Sequence, residues 1–157
     1  MKFVCPIFAA ALVVLALGSG GSFAQNKPPS AGAVAQQKSL YQRLGGYDTI
    51  AAIVDDIGGR LASDGQMRRF FLGHSKNSLA RQRQLVLDFI CDLAGGPCIH
   101  IGRDLKTAHA GLGISPADWD RTMSLLAETL AKVEVAERER KDFVALISAL
   151  QKDIVEK

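Results

Sequence analysis

His109 is the residue whose type and surroundings could do chemistry. Leu105 lies four residues before it and Leu112 three residues after it, so on a helix the three side chains share one apolar face. A neutral imidazole on such a face can bind a metal. The alternative is a core histidine with a backbone hydrogen-bond partner, and this face alone favours that alternative.

The remaining reactive side chains do not form a hydrolytic set. The sequence shows no Ser–His–Asp or Cys–His arrangement and no pair of carboxylates suited to acid–base work. Asp55 and Asp56 are adjacent in the chain, so they point to different sides of a helix. We therefore predict no catalytic residue. His100, in the turn after residues 95–97, is interpreted as structural.

The apolar pattern is helical throughout, without internal repeats or persistent strand-like alternation. Trp119, Met123, Leu126 and Leu130 illustrate the pattern, because their spacing gives one buried helix stripe. The predicted helices are 39–44, a second one capped by Asp48, a third one capped by Ser78 and ended at 95–97, a fourth one begun by Ser115 and Pro116, and a last one over about 137–155.

The stretch over 95–114, GGPCIHIGRDLKTAHAGLGI, resembles the proximal segment of the truncated haemoglobins, the bacterial two-on-two globins. The resemblance is to their first group and covers about residues 39–155. It also rests on Gly45-Gly46, on Phe70-Phe71, and on the spacing of His109, Leu112 and Ile114. It implies an all-α truncated globin fold, a two-on-two helical sandwich around haem b, in which the second helix pairs with the third and the penultimate with the last.

By this resemblance, His109 is the proximal ligand of the haem iron. The other ring nitrogen is expected to donate to a backbone carbonyl or to water, which orients the ring. Arg81 and Lys106 are candidate partners for the haem propionates, although such surface side chains are ordinarily just solvated. The other predicted haem contacts are Phe71, Gln82, Val86, Phe89, Leu105, Ile114 and Trp119.

The distal side departs from the family. Where the family has a tyrosine that donates to bound oxygen, the string Val-Asp-Asp-Ile ends at Gly58. Gln82 is then the one distal side chain able to hydrogen-bond a gas, and an exposed helix glutamine is nearly as good an interpretation of it. Losing one hydrogen bond should speed oxygen release about tenfold. This argues against efficient nitric-oxide dioxygenation and leaves open whether the protein is an enzyme.

The polar loop over 72–77 contains His74, the nearest source of a second imidazole. Bonding of His74 to iron would give a six-coordinate haem suited to electron transfer. We favour an open, apolar distal pocket that binds oxygen, carbon monoxide or nitric oxide. The third alternative, a haemless helical interaction module, is disfavoured because His109 sits in an intact proximal motif.

The composition of the chain bears on its binding partners, and its first residues bear on its cellular compartment. The chain has 157 residues, 48% of them hydrophobic, and a formal net charge of +3; the basic residues form no dense block, which argues against nucleic acid. Lys2, an apolar run over 7–17 and Ala24 predict a signal peptide over 1–24, and a linker follows over 25–38. The globin domain is then 39–157, exported and periplasmic, with no stable membrane insertion after cleavage. An uncleaved anchor is the alternative.

Export also changes the interpretation of the cysteines. Cys91 and Cys98 remain after cleavage, and in an oxidising compartment two such close cysteines can pair. Two small buried thiols are an equally good interpretation. A haem protein that cycles between ferric and ferrous iron also needs a reductase, which the sequence does not identify.

Overall fold

The computed structural model describes residues 37–156, and this part of the chain contains helices and no strand. The predicted signal peptide and nearly all of the predicted linker lie outside the described residues. The helices are α1 (Leu40–Leu44), α2 (Tyr47–Ser63), α3 (Lys76–Leu93), α4 (Leu105–His109), α5 (Pro116–Lys132), α6 (Glu137–Ser148) and α7 (Gln151–Ile154).

Local chemistry explains where these helices begin and end. At α1, Ser39 and Gln42 cap each other, and at α5 Ser115 and Asp118 do the same with Pro116 in the first turn. After α3, Gly95 adopts a left-handed conformation with φ of 79°, which favours glycine. The predicted start of α5 and the predicted stop of α3 are thus confirmed.

The two predicted helix pairs are present. Helix α2 packs on α3, and α5 packs on α6, while α2 also crosses α5 and so joins the pairs. The apolar faces meet in one core. Its most buried side chains are Ile50, Ile53, Leu87, Cys91, Leu130 and Phe143.

Two predicted caps were wrong. Helix α2 begins after Gly46, so Asp48 lies in the first turn rather than at the cap. Helix α3 begins three residues earlier than predicted, because the hydroxyl of Ser75, not that of Ser78, caps it and accepts from the backbone N–H of Ser78 at 3.1 Å. The loop that holds His74 is shorter as a result.

The predicted last helix is divided. It runs as α6 to Ser148 and resumes as α7 at Gln151. The hydroxyl of Ser148 donates to the carbonyl oxygen of Val144 at 2.7 Å, and such back-bonding competes with the helix ladder and bends it. No helix of residues 37–156 is long and apolar enough to cross a membrane.

Candidate functional site

The His109 side chain is fixed by its own helix. Its Nδ1 lies 2.7 Å from the carbonyl oxygen of Leu105, one turn earlier. A carbonyl oxygen can only accept, so Nδ1 carries the ring proton and Nε2 keeps its lone pair. This is the state in which an imidazole binds a metal. The expected backbone partner for the second ring nitrogen is therefore present.

His109 lines a cavity of about 460 Å³ between α3 and the segment that contains α4. Of the predicted haem contacts, this cavity brings together Gln82, Val86, Phe89, Leu105 and His109. Phe70, Leu85, Ala108 and Leu112 also line it, and they make its wall mostly apolar. The volume lies within the range of small-molecule and cofactor sites.

All three histidines of the chain line this cavity. His74 reaches it from the loop before α3, and His100 from the extended segment after Pro97. Sequence reasoning treated His100 as a structural turn residue and did not foresee its place in the wall. No local pattern could have placed it there, because the Ile99-His100-Ile101 alternation favours buried isoleucines, whereas both isoleucines are exposed, at 78% and 80%.

The contacts of His100 hold it in the cavity wall. Its ring meets the ring of Phe89 edge-on, with centroids 5.2 Å apart. Its Nε2 lies 3.3 Å from the carbonyl oxygen of Arg103, which makes Nε2 the donor. Its Nδ1 is buried and finds no partner among residues 37–156. Gly102 gives this ring room, because a Cβ there would lie 2.4 Å from the imidazole.

A disulfide fixes the corner from which this segment starts. Cys91 near the end of α3 is bonded to Cys98, with their Cα atoms 5.7 Å apart. Of the two alternatives left open by the sequence, the structure contains the bridge. Gly96 lies beneath it, and a Cβ there would approach the sulfur of Cys91 to 2.7 Å and the ring of Tyr41 to 2.5 Å.

A second cavity, of about 390 Å³, adjoins the first between α2 and α3. Gln82 and Val86 line both cavities. Gly58 lines the second one, and a Cβ there would meet no atom within 4 Å. The space expected from the missing phenol is therefore open, with an apolar lining that includes Ile57.

The remaining predicted contacts lie elsewhere. Phe71 lines the second cavity rather than the first, where Phe70 takes part. Ile114 and Trp119 are buried, with 8% and 6% exposure, and are not in the lining of the first cavity. Their role in haem binding stays a prediction.

Two cations reach the first cavity. Of the two candidate propionate partners, Arg81 lines it and Lys106 does not, and Arg103 lines it as well. Both arginines are exposed, so they can pair with carboxylates at the cavity edge.

Phe70 is positioned by a buried carboxylate. Asp118, 1% exposed, accepts from Gln66 at 2.9 Å and from Arg69 at 2.7 Å. The guanidinium of Arg69 lies 4.5 Å from the centre of the Phe70 ring. Hydrogen bonds from Gln66 and Ser115, with the charge of Arg69, hold the pKa of Asp118 well below its usual range.

Sequence and structure comparisons identify the class. The profile of the bacterial-like globin family matches residues 39–156. The chain is 27% identical to the group 1 truncated hemoglobin GlbN of Mycolicibacterium paratuberculosis, over 76% of this chain and 86% of that protein. It is also 27% identical to GlbN of Nostoc sp., over 76% of this chain and 98% of that protein.

A solved structure agrees with this family match. The truncated hemoglobin of Tetrahymena pyriformis in its Fe(III) form superposes with a TM-score of 0.70 at 25% identity, over 76% of this chain and all of that one. The chain belongs to the bacterial-like globin family. Within that family it is a two-on-two truncated globin of the group I type, as the sequence predicted.

Membership in this family implies haem b as the cofactor and small gases as ligands, and the cavity fits that cofactor. It offers an imidazole with a free Nε2, a mostly apolar wall and two arginines for the propionates. Haem, when bound, would supply the iron to which a small gas binds. Leu105 orients the imidazole, Phe89 and Val86 supply apolar wall that bound haem would cover, and Gln82 is a donor shared by both cavities.

Proposed function

We propose that this protein is an exported haem b globin that reversibly binds oxygen, carbon monoxide or nitric oxide at iron held by His109. One observation carries the assignment of the ligand: His109 lines the apolar cavity with Nδ1 donating to Leu105. That hydrogen bond leaves Nε2 as the free donor atom of the ring. The Nε2 of His100 instead donates to the carbonyl oxygen of Arg103, and its Nδ1 is buried. This difference supports His109 over His100 as the iron ligand.

The decisive experiment compares matched alanine variants. Purified wild-type protein, reconstituted with haem, should show a Soret band and a reversible shift of that band with carbon monoxide. His109→Ala should lose the band or most of its intensity, while His100→Ala should keep it. Retention of haem by His109→Ala together with its loss from His100→Ala would reverse the assignment.

The open distal side supports reversible binding rather than rapid nitric-oxide dioxygenation. Gly58 lines an empty apolar space, and Gln82 is the polar side chain that faces both cavities. One hydrogen bond contributes about 0.5–1.5 kcal/mol, so a bound oxygen is held weakly. Turnover would further require a reductase in the same compartment, which we propose as the partner.

A six-coordinate redox haem protein is the second candidate. Its supporting observation is that His74 lines the same cavity as His109. His74 is exposed, which favours the gas-binding protein. A ferrous spectrum of the six-coordinate low-spin type, lost in His74→Ala, would favour the redox protein, whereas a five-coordinate ferrous spectrum favours the gas-binding one.

Export is proposed from the residues that precede the domain. The basic start, the apolar run over 7–17 and the small residues before Gln25 are typical of a cleaved signal peptide. Mass spectrometry of protein from a cell fraction outside the cytoplasm should give an amino terminus at Gln25. Intact Met1 in a membrane fraction would instead support an uncleaved anchor.

A further inference from the structure

Glu156 ties down the loop that follows His109. Its carboxylate accepts from the backbone N–H of Gly113 at 2.8 Å and also from that of Gly111. Its own backbone N–H donates to the carbonyl oxygen of Ile114 at 2.9 Å. Glu156, which follows α7 by two residues, thus makes three hydrogen bonds to residues 111–114.

The loop needs this support because little else defines it. Helix α4 has five residues and ends at His109, and a helix so short is not stable by itself. Gly111 and Gly113 both have positive φ, 81° and 65°, a conformation that turns both N–H groups toward one carboxylate. Glycine is flexible when such a partner is absent.

The hydrogen bonds of Glu156 to the loop, called the tether below, lie close to the imidazole. Leu112 lies between the two glycines that Glu156 binds and lines the first cavity. Its backbone N–H donates to the carbonyl oxygen of His109 at 3.2 Å. Helix α7, which precedes Glu156, is also the helix on which α4 packs.

We propose that Glu156 is a positioning residue for the proximal ligand. It fixes the loop over 111–114 and thereby the orientation of His109 in the cavity. The effect on iron rests on the proposed function, whereas the effect on the loop and on the imidazole does not.

The test uses Glu156→Ala and Glu156→Gln in the full chain. Alanine removes both carboxylate contacts, while glutamine keeps one oxygen acceptor, so the effect should be graded. Asp153→Asn is the matched control, because it removes the same charge from α7 and the hydrogen bonds of residues 111–114 do not involve its side chain.

Two readouts need no haem. Amide hydrogen exchange at Gly111 and Gly113 should speed up about tenfold or more in Glu156→Ala and less in Glu156→Gln. The NMR signal of the His109 Nδ1 proton should shift or broaden in parallel. Unchanged exchange in Glu156→Ala would overturn the tether, and faster exchange with an unchanged His109 signal would overturn the positioning role.

The third readout uses the haem-loaded protein. The iron–histidine stretching band of the ferrous form should broaden or shift in Glu156→Ala, and haem should transfer faster to a scavenger globin. Asp153→Asn should match wild type in both measurements. If wild type gives no such band, the proposed function fails, and the two haem-free readouts still decide the role of Glu156.

Discussion

The tautomer of His109 follows from one backbone oxygen. Leu105 is the residue four positions earlier in the same helix, so its carbonyl is the group that a histidine at the end of a short helix can reach. Leu105, which the sequence predicted as an apolar neighbour of His109, is thus also the residue whose carbonyl oxygen fixes the ring proton on Nδ1.

Gly58 allows a direct test of the open distal side. Gly58→Tyr should slow oxygen dissociation about tenfold, because the added phenol can donate one hydrogen bond and a Cβ there meets no atom within 4 Å. Stopped-flow displacement of oxygen by carbon monoxide measures the rate.

Gly58→Ala is the control for that experiment. It removes the glycine from the interior of α2, and should stabilise the fold by about 0.5–1 kcal/mol while leaving the off-rate near that of wild type. An unchanged rate in Gly58→Tyr would mean that the phenol does not face the ligand.

Asp118 should make stability depend on acid pH. Its folded pKa is lowered, so its contribution is complete above the ordinary value of about 3.9 and is lost as pH falls below it. Asp118→Asn should cost about 2 kcal/mol at pH 7, since charged hydrogen bonds are removed from a buried site. The difference from wild type should shrink at pH 3.

Denaturant unfolding at both pH values checks this expectation. Asp120→Asn is the matched control, because Asp120 is exposed on the same helix. A cost for Asp118→Asn that is equal at pH 7 and pH 3 would contradict the assigned cause.

At the scale of elements, the disulfide and Gly96 define one corner. The bridge closes a short loop, and in the chain-entropy model such a closure contributes about 2.5 kcal/mol. Cys98→Ser should therefore lower the free energy of unfolding by up to that amount, measured against wild type under non-reducing conditions. Reducing agent should lower the stability of wild type and leave the variant unchanged, and a response of the variant would show another cause.

Gly96 gives a second test of that corner. A methyl group there would overlap the backbone oxygen of Cys91, 2.8 Å away, as well as the Tyr41 ring, and backbone cannot move aside cheaply. Gly96→Ala should cost about 1–3 kcal/mol, whereas Gly65→Ala, which meets no atom within 4 Å, should be close to neutral. Thermal melts compare the two variants, and equal melting temperatures would refute the overlap.

Helix caps and apolar periodicity in the sequence predicted the existence of the helices better than their boundaries. The starts at Ser39 and Ser115 combine a cap with a reciprocal partner three residues on, which is a strong local signal. Ser75 and Ser78 both suit a cap, and only the structure shows that Ser75 serves. The division of the last helix depends on which backbone oxygen the Ser148 hydroxyl meets, and periodicity does not contain that information.

At the scale of the whole molecule, the site was predictable where residues share an element and less so where segments meet. Gln82, Val86 and Phe89 follow one face of α3, so their spacing placed them together. His100 and Arg103 enter from a non-helical segment whose path is set by the disulfide corner. The contact of Glu156 with Gly111 joins residues 45 positions apart, beyond the reach of any local pattern.

Haem should act as part of the core of the whole domain. Leu112 and Val86 line its cavity yet are 48% and 40% exposed in the protein alone, so cofactor burial would cover apolar surface at about 25 cal/mol per Å². A ligand that binds only the folded state stabilises it by mass action, by about 4 kcal/mol at a thousandfold excess over Kd. The melting temperature should therefore rise as haem is added. His109→Ala, measured by circular dichroism beside wild type, should show a much smaller rise, because it retains the apolar wall and loses the iron ligand. A melting temperature independent of haem in wild type would show that this cavity does not bind it.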